Sequence, residues 1–221
     1  MHRGEFDLQN RKILFISKMA ALETVVDAPN KEGEDLKVSL SEKTKEDLKD
    51  VVLHGLVVSP PSVKIRTILH YYGVQWTNKL GPKKGSEYRK VPVMIINGRQ
   101  INDSHIMVKN LAPILDGKGL TDEMLEVEKL VTDGIQLSLS KSENKVYSKR
   151  LKDALGEKPF FHGEKPGIID IAVWSILNLH VKAGTHAIQD MFDDGNGWSD
   201  YYFRMKKQGN LASFDVRKSF K

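Results

Sequence analysis

The chain has 221 residues, enough for one large domain or two small ones sharing an interface, and its 40% hydrophobic and 29% charged residues predict a packed core. The net charge of +5 comes from 34 basic and 29 acidic side chains mixed along the sequence; Lys83-Lys84, Arg89-Lys90 and Lys149-Arg150 read as solvated edges, so a nucleic-acid partner is not expected. Cysteine is absent, which excludes disulfides, thiolate metal sites and a cysteine nucleophile.

Residues 1–49 read as a charged extension or tether. Ile13, Leu14, Ile16 and Leu22 recur at helical spacing, predicting a short amphipathic helix over 11–26. The same stretch is broken by Lys18 and Glu23, so it falls short of the ~18 uninterrupted apolar residues of a membrane span and makes a poor secretory signal. Glu5 and Asp7 argue against an attached transit peptide, which leaves a chain whose targeting piece was already removed as the alternative. The following "DAPNKEGEDLKVSLSEKTKEDLKD" is polar and charge-rich, as expected of a linker.

From residue 50 the pattern changes. "DVVLHGLVV", 50–58, is the valine-rich run of a strand buried on both faces. "PSVKIRTILHYYG", 61–73, predicts a helix with proline in its first turn, an inward stripe of Val63, Ile65, Ile68, Leu69 and Tyr72, and Gly73 as its stop. "VQWTN", 74–78, is a short second strand. After the polar "KLGPKKGSEYRK", Asn97-Gly98 joins two apolar runs as a hairpin. Asp103 and Ser104 then cap a helix running to Leu115. This β-α-β, connection, β-β-α order is that of a thioredoxin-like domain, placed at 50–117.

The remainder, 120–221, reads as all-helical: 120–140, 146–155, a nearly all-apolar central helix over 168–180, and shorter ones over 184–193 and 200–208. In front of the central helix, Gly167 stands where a capping side chain would be, and Asp170 supplies the other half of a capping box. The fold class is therefore α/β plus all-α, the plan of the glutathione transferases.

Two stretches sharpen this. "YRKVPVMIINGRQINDSHIM", 88–107, closely resembles the thioredoxin-like domain of the type-2 membrane-associated prostaglandin E synthases, and "GEKPGIIDIAVWSIL", 163–177, resembles that family's helical-domain signature. The resemblance runs from about residue 50 to the end. It implies a cis Val91-Pro92 bond whose free backbone groups face a ligand, and Asp103 and Ser104 holding the γ-glutamyl end of glutathione. Glutathione is the only cofactor it implies, and no metal site is read, because the histidines lack ligand spacing.

The departures decide the function. Where the family keeps Cys-Pro-x-Cys, this chain has Ser59-Pro60-Pro61-Ser62, and Leu56 replaces an expected tyrosine. A thiolate gains nucleophilicity at a helix N-terminus, whereas a serine hydroxyl gains little without a base. His54, out of phase with its strand neighbours, reads as a structural histidine. Two readings stay open. One is a catalytically degenerate accessory subunit that contacts protein partners partly through residues 1–49; the resemblance implies a mitochondrial, respiratory-type assembly, with the cytoplasm as the alternative. The other is a glutathione-dependent isomerase or transferase in which Ser59 hydrogen-bonds the thiolate; against it, Pro60 and Pro61 lack the amides that would face sulfur.

Overall fold

The structure, a computed structural model, describes residues 40–133, 141–193, 195 and 197–215. The helix predicted over 11–26 lies outside these residues, as does the 134–140 end of the helix predicted over 120–140.

Four strands, β1 (Val52–Gly55), β2 (Thr77–Leu80), β3 (Val93–Ile96) and β4 (Arg99–Asn102), form one sheet in the order β2-β1-β3-β4. β1 runs parallel to β2 and antiparallel to β3, and β3 and β4 are antiparallel. The parallel pair needs a crossover, supplied by α1 (Pro60–Tyr71). The antiparallel pair turns at Asn97-Gly98, whose positive φ angles of 51° and 77° suit a two-residue hairpin loop. α2 (Ser104–Leu115) follows β4 and completes the thioredoxin-like order.

β1 is shorter than the apolar run predicts. Val52–Gly55 pair, but Leu56 leaves the ladder: its N–H donates to Ser62 Oγ, and its carbonyl and that of Val57 accept from the Arg66 guanidinium. Gly55 is required at this bend, because a Cβ there would meet Ser62 Oγ at 2.8 Å and Ser62 Cβ at 2.9 Å. The helix also starts one residue earlier than expected, with Pro60 and Pro61 both in its first turn.

The helical layer comprises α3 (Asp122–Asp133), α4 (Lys141–Leu155), α5 (Ile168–Ala183), α6 (His186–Asp193) and α7 (Trp198–Lys206). α5 is the axis. Ile171 and Trp174 are buried on it, as the apolar run predicts, and it packs against α1, α3, α6 and α7. Trp174 stacks on Tyr202 with ring centroids 5.9 Å apart, and its Nε1–H donates to the Tyr202 carbonyl at 3.2 Å. α5 ends at Gly184 in the left-handed region (φ 62°), so α6 starts two residues later than the predicted 184.

Residues 40–49, assigned by composition to the tether, lie against the sheet. Leu48 is buried in the core and Leu40 packs on it. The Asn97 side chain accepts from Lys49 N at 3.0 Å and donates to the Asp47 carbonyl at 3.0 Å, while Glu42 pairs with Arg99. Residues 40–49 thus belong with the fold, because the hairpin tip offers them hydrogen bonds and the core accepts Leu48. No helix among the described residues is long and apolar enough to cross a membrane.

Candidate functional site

The strand register gathers the predicted site residues at one end of the sheet. His54 pairs with Val93, and Val93 with Asn102. Carried one residue further, that register sets Gly55, Pro92 and Asp103 side by side, ~5 Å apart from strand to strand. The Val91–Pro92 peptide is cis, as expected; Pro92 is buried and Val91 half-buried. The chain leaves β1 at this end through the 56–59 turn into α1, and leaves β4 at the same end through Asp103 into α2.

Ser59, a residue 9% exposed, is the N-cap of α1 with extended backbone (φ −66°, ψ 118°), and its side chain makes no capping hydrogen bond. Its carbonyl accepts the Val63 N–H at 2.8 Å, the opening bond of the helix. Prolines at the first two helical positions remove two of the amides that a helix start normally presents to an anion. Beneath this turn, Ser62 and Arg66 are fully buried and hold its backbone through the Leu56 and Val57 contacts. Burial lowers the pKa of the Arg66 guanidinium. The turn is therefore tied down by buried hydrogen bonds and thiol-free, and the Ser59 hydroxyl is not used in capping.

At the α2 end, Asp103 has φ 65° and ψ 132°, a region that favours glycine, at a cost of ~1–3 kcal/mol for a residue with a side chain. Such strain persists where the surroundings over-determine it, and it concentrates at ligand sites. The Asp103 carboxylate is exposed and accepts the His105 N–H at 2.7 Å; Ser104 begins the helix and is buried. Beside them Ser86 Oγ accepts from Gln100 Nε2 at 2.8 Å and from Tyr88 N at 3.2 Å, which ties the polar connection to β4. His54 is half-buried on β1; desolvation, then the charges of Lys83 and Lys79, lower its pKa, in keeping with a structural histidine.

Two buried charged groups lie outside the predicted site residues. Lys64 of α1, Glu128 of α3 and His105 of α2 meet where the three helices converge. A polar Glu128 inside the apolar stripe of Val127, Leu130 and Val131 was the one sequence signal of it. The second group joins the sheet layer to the helical layer. His162 lies between Asp116 (Nε2 to Oδ2, 3.3 Å) and Asp170 (Nδ1 to Oδ2, 3.1 Å). Tyr72 donates to Asp116, and Tyr201 donates to Asp170 at 3.0 Å. Burial opposes protonation of His162, yet hydrogen bonds to Asp116 and Asp170, with their charges, raise its pKa to about 9. The same ring explains Gly167. A Cβ there would lie 2.4 Å from the imidazole, so a capping side chain has no room, and the helix start relies on Asp170 accepting the Gly167 N–H at 3.0 Å.

No protein-family model matches this sequence, and no curated protein matches it. Solved structures do. Rice glutathione transferase OsGSTU1, solved in complex with glutathione, aligns at 16% identity and TM-score 0.54 over 78% of this chain and 96% of its own. A glutathione S-transferase from Sinorhizobium meliloti aligns at 15% identity and TM-score 0.59 over 76% of this chain and 94% of its own. Glutathione transferase F2 from Populus trichocarpa gives 14% identity and TM-score 0.58 over 76% and 99%. At these identities the likeness is one of fold: a thioredoxin-like sheet layer followed by the helical domain of the glutathione transferases.

Proposed function

We propose that this chain is a catalytically silent glutathione-transferase-fold protein, similar to the type-2 prostaglandin E synthases. In this reading it keeps the peptide-binding half of the site, has lost the thiol-activating half, and serves as an accessory subunit of a larger, mitochondrial assembly. One observation carries the reading: Ser59 caps a helix whose first two positions are Pro60 and Pro61. A bound thiol there would meet one hydroxyl and a depleted set of amides, too little to hold a thiolate at neutral pH.

The other half of the site supports retained binding. Extended by one residue, the β3–β4 register brings Pro92 beside Asp103, and α2, twelve residues long, offers a capped N-terminus to a carboxylate. The glutathione complex of the rice transferase shows that this fold accommodates the tripeptide, which here would lie against Val91, Pro92, Asp103 and Ser104. Residues 40–49 also pack on the fold, and we assign docking within the assembly in part to the extension, 1–49.

The test combines three measurements on the full chain. Glutathione should raise the melting temperature, since a ligand that binds only the native state stabilises it. Conjugation to an activated chloro-dinitrobenzene should stay at the uncatalysed rate. Partners recovered with the native protein should be lost when residues 1–39 are removed. A second reading, a serine-type glutathione-dependent transferase or isomerase, is favoured by the Ser59 hydroxyl that capping leaves unused. Turnover that vanishes in Ser59→Ala while glutathione still binds would establish that reading in place of the first.

A further inference from the structure

β2 is an edge of the sheet: in the order β2-β1-β3-β4 it pairs with β1 alone. Thr77 N–H donates to the Val51 carbonyl and Gly81 N–H to the Gly55 carbonyl, both at 2.8 Å, so these residues turn their backbone groups towards β1. Along a parallel strand the direction alternates from residue to residue, which leaves the N–H and C=O of Leu80 pointing away from the sheet. The Leu80 side chain is 72% exposed, the most of any large apolar side chain among the described residues. The opposite edge differs, because Ser41 and Glu42 lie against Arg99 at the start of β4.

An open edge pairs with any extended chain that reaches it, and proteins blunt such edges with short strands and lysines. β2 has four residues and carries Lys79, yet its surroundings go beyond blunting. Residues 79–90 hold five basic side chains against Glu87 alone, and no helix or strand intervenes before β3. Lys79 stands opposite His54 in the ladder, and Lys83 is near enough for its charge to act on the same ring. Among the described residues, no carboxylate pairs with Lys79, Lys83 or Lys84. A field of one sign beside an open edge chooses its partner by charge. It rejects a second copy of the same edge, which would set lysine against lysine. It also suits nucleic acid poorly, since the one aromatic side chain in the stretch, Tyr88, is half-buried and offers no stacking platform. An extended polypeptide alone uses both the charge and the unpaired backbone groups.

We propose that the β2 edge takes up an extended acidic segment of a partner protein as an added strand, with carboxylates opposite Lys79 alternating with apolar side chains opposite Leu80. The alternation follows from the register. Thr77 and Lys79 share the face of His54, whereas Leu80 shares the face of Leu53, so the two halves of the recognition fall on opposite sides of the strand. The inference rests on the accessory-subunit reading above, for which it supplies a docking surface and the chemistry of the partner.

The probes are two short N-acetylated peptides, one alternating glutamate with valine and the other lysine with valine, titrated into the full-length protein by NMR. The acidic peptide should shift the β2 amides, slow hydrogen exchange at Leu80 N–H and weaken as salt is added; the basic one should not bind. Lys79→Glu combined with Lys83→Glu should weaken the acidic peptide about tenfold and admit the basic one. Leu80→Ala, at an exposed position, should weaken the acidic peptide about threefold. No binding of the acidic peptide, or equal binding of both, overturns the inference. So do shifts centred on Asp103 and Ser104 that glutathione displaces, or phosphatidylglycerol vesicles or single-stranded RNA binding where the peptide does not. The two readings fail separately. A partner recovered with the native protein while the acidic peptide does not bind overturns this surface alone, and peptide binding with no partner recovered overturns the assembly alone.

Discussion

Replacing His162 by glutamine removes the cation between Asp116 and Asp170, whose side chains are 10% and 0% exposed. The magnitude follows from linkage. The ring's pKa rises from 6.5 unfolded to about 9 folded. At ~1.4 kcal/mol per tenfold change this is worth ~3 kcal/mol when the ring is protonated in both states, and ~2.5 kcal/mol near pH 7. Because the folded pKa is the raised one, the contribution is complete below the unfolded value and fades as pH climbs through about 9. His162→Gln should therefore lose ~2–3 kcal/mol near neutrality, a drop in melting temperature of roughly 5–10 °C for a chain of this size. The deficit relative to the unaltered protein should shrink steadily as pH rises above the unfolded value and be nearly gone once the pH reaches about 9. Urea unfolding followed by the fluorescence of the buried Trp174 and Trp198 measures it. A deficit of equal size at every pH would refute the electrostatic argument and leave only lost packing.

Gly55→Ala drives a methyl group into Ser62 at 2.8–2.9 Å, and overpacking of this kind should cost ~1–3 kcal/mol in a denaturant titration; an unchanged midpoint would mean the turn can move. Ser59→Ala should leave stability within ~0.5 kcal/mol, because the hydroxyl makes no capping bond, and a loss above ~1 kcal/mol would assign it a structural partner. Truncation before residue 40 should preserve the circular dichroism of the folded protein. Truncation before residue 50 should not, since it strips Leu48 from the core and Glu42 from Arg99; equal behaviour of the two would show that residues 40–49 are dispensable.

The sequence by itself determined the order and type of the elements. Asn97-Gly98 announced its hairpin, the run over 168–180 its central helix, and Pro92 with Asp103-Ser104 the end of the sheet at which the candidate site gathers. These are signals carried by a residue and its near neighbours: φ angles only certain residues adopt, a period of two or 3.6, a side chain one turn from an amide. Tertiary structure alone decided which polar residues are buried and against what. Lys64 and Arg66 look like the wet face of an amphipathic helix, yet α1 lies between the sheet and α5 and has no wet face over that stretch. Leu48 sits in a polar run that reads as linker, and His162 stands in a loop with nothing nearby to mark it. The contacts that hold these segments come from far along the chain: Glu128 is 64 positions from Lys64, the hairpin-tip Asn97 is 48 from Lys49 beside Leu48, and Asp116 is 46 from His162. Periodicity reports how a residue faces its own element; the charge a buried residue must find is set by the topology that brings distant elements into contact, and no local pattern carries that information.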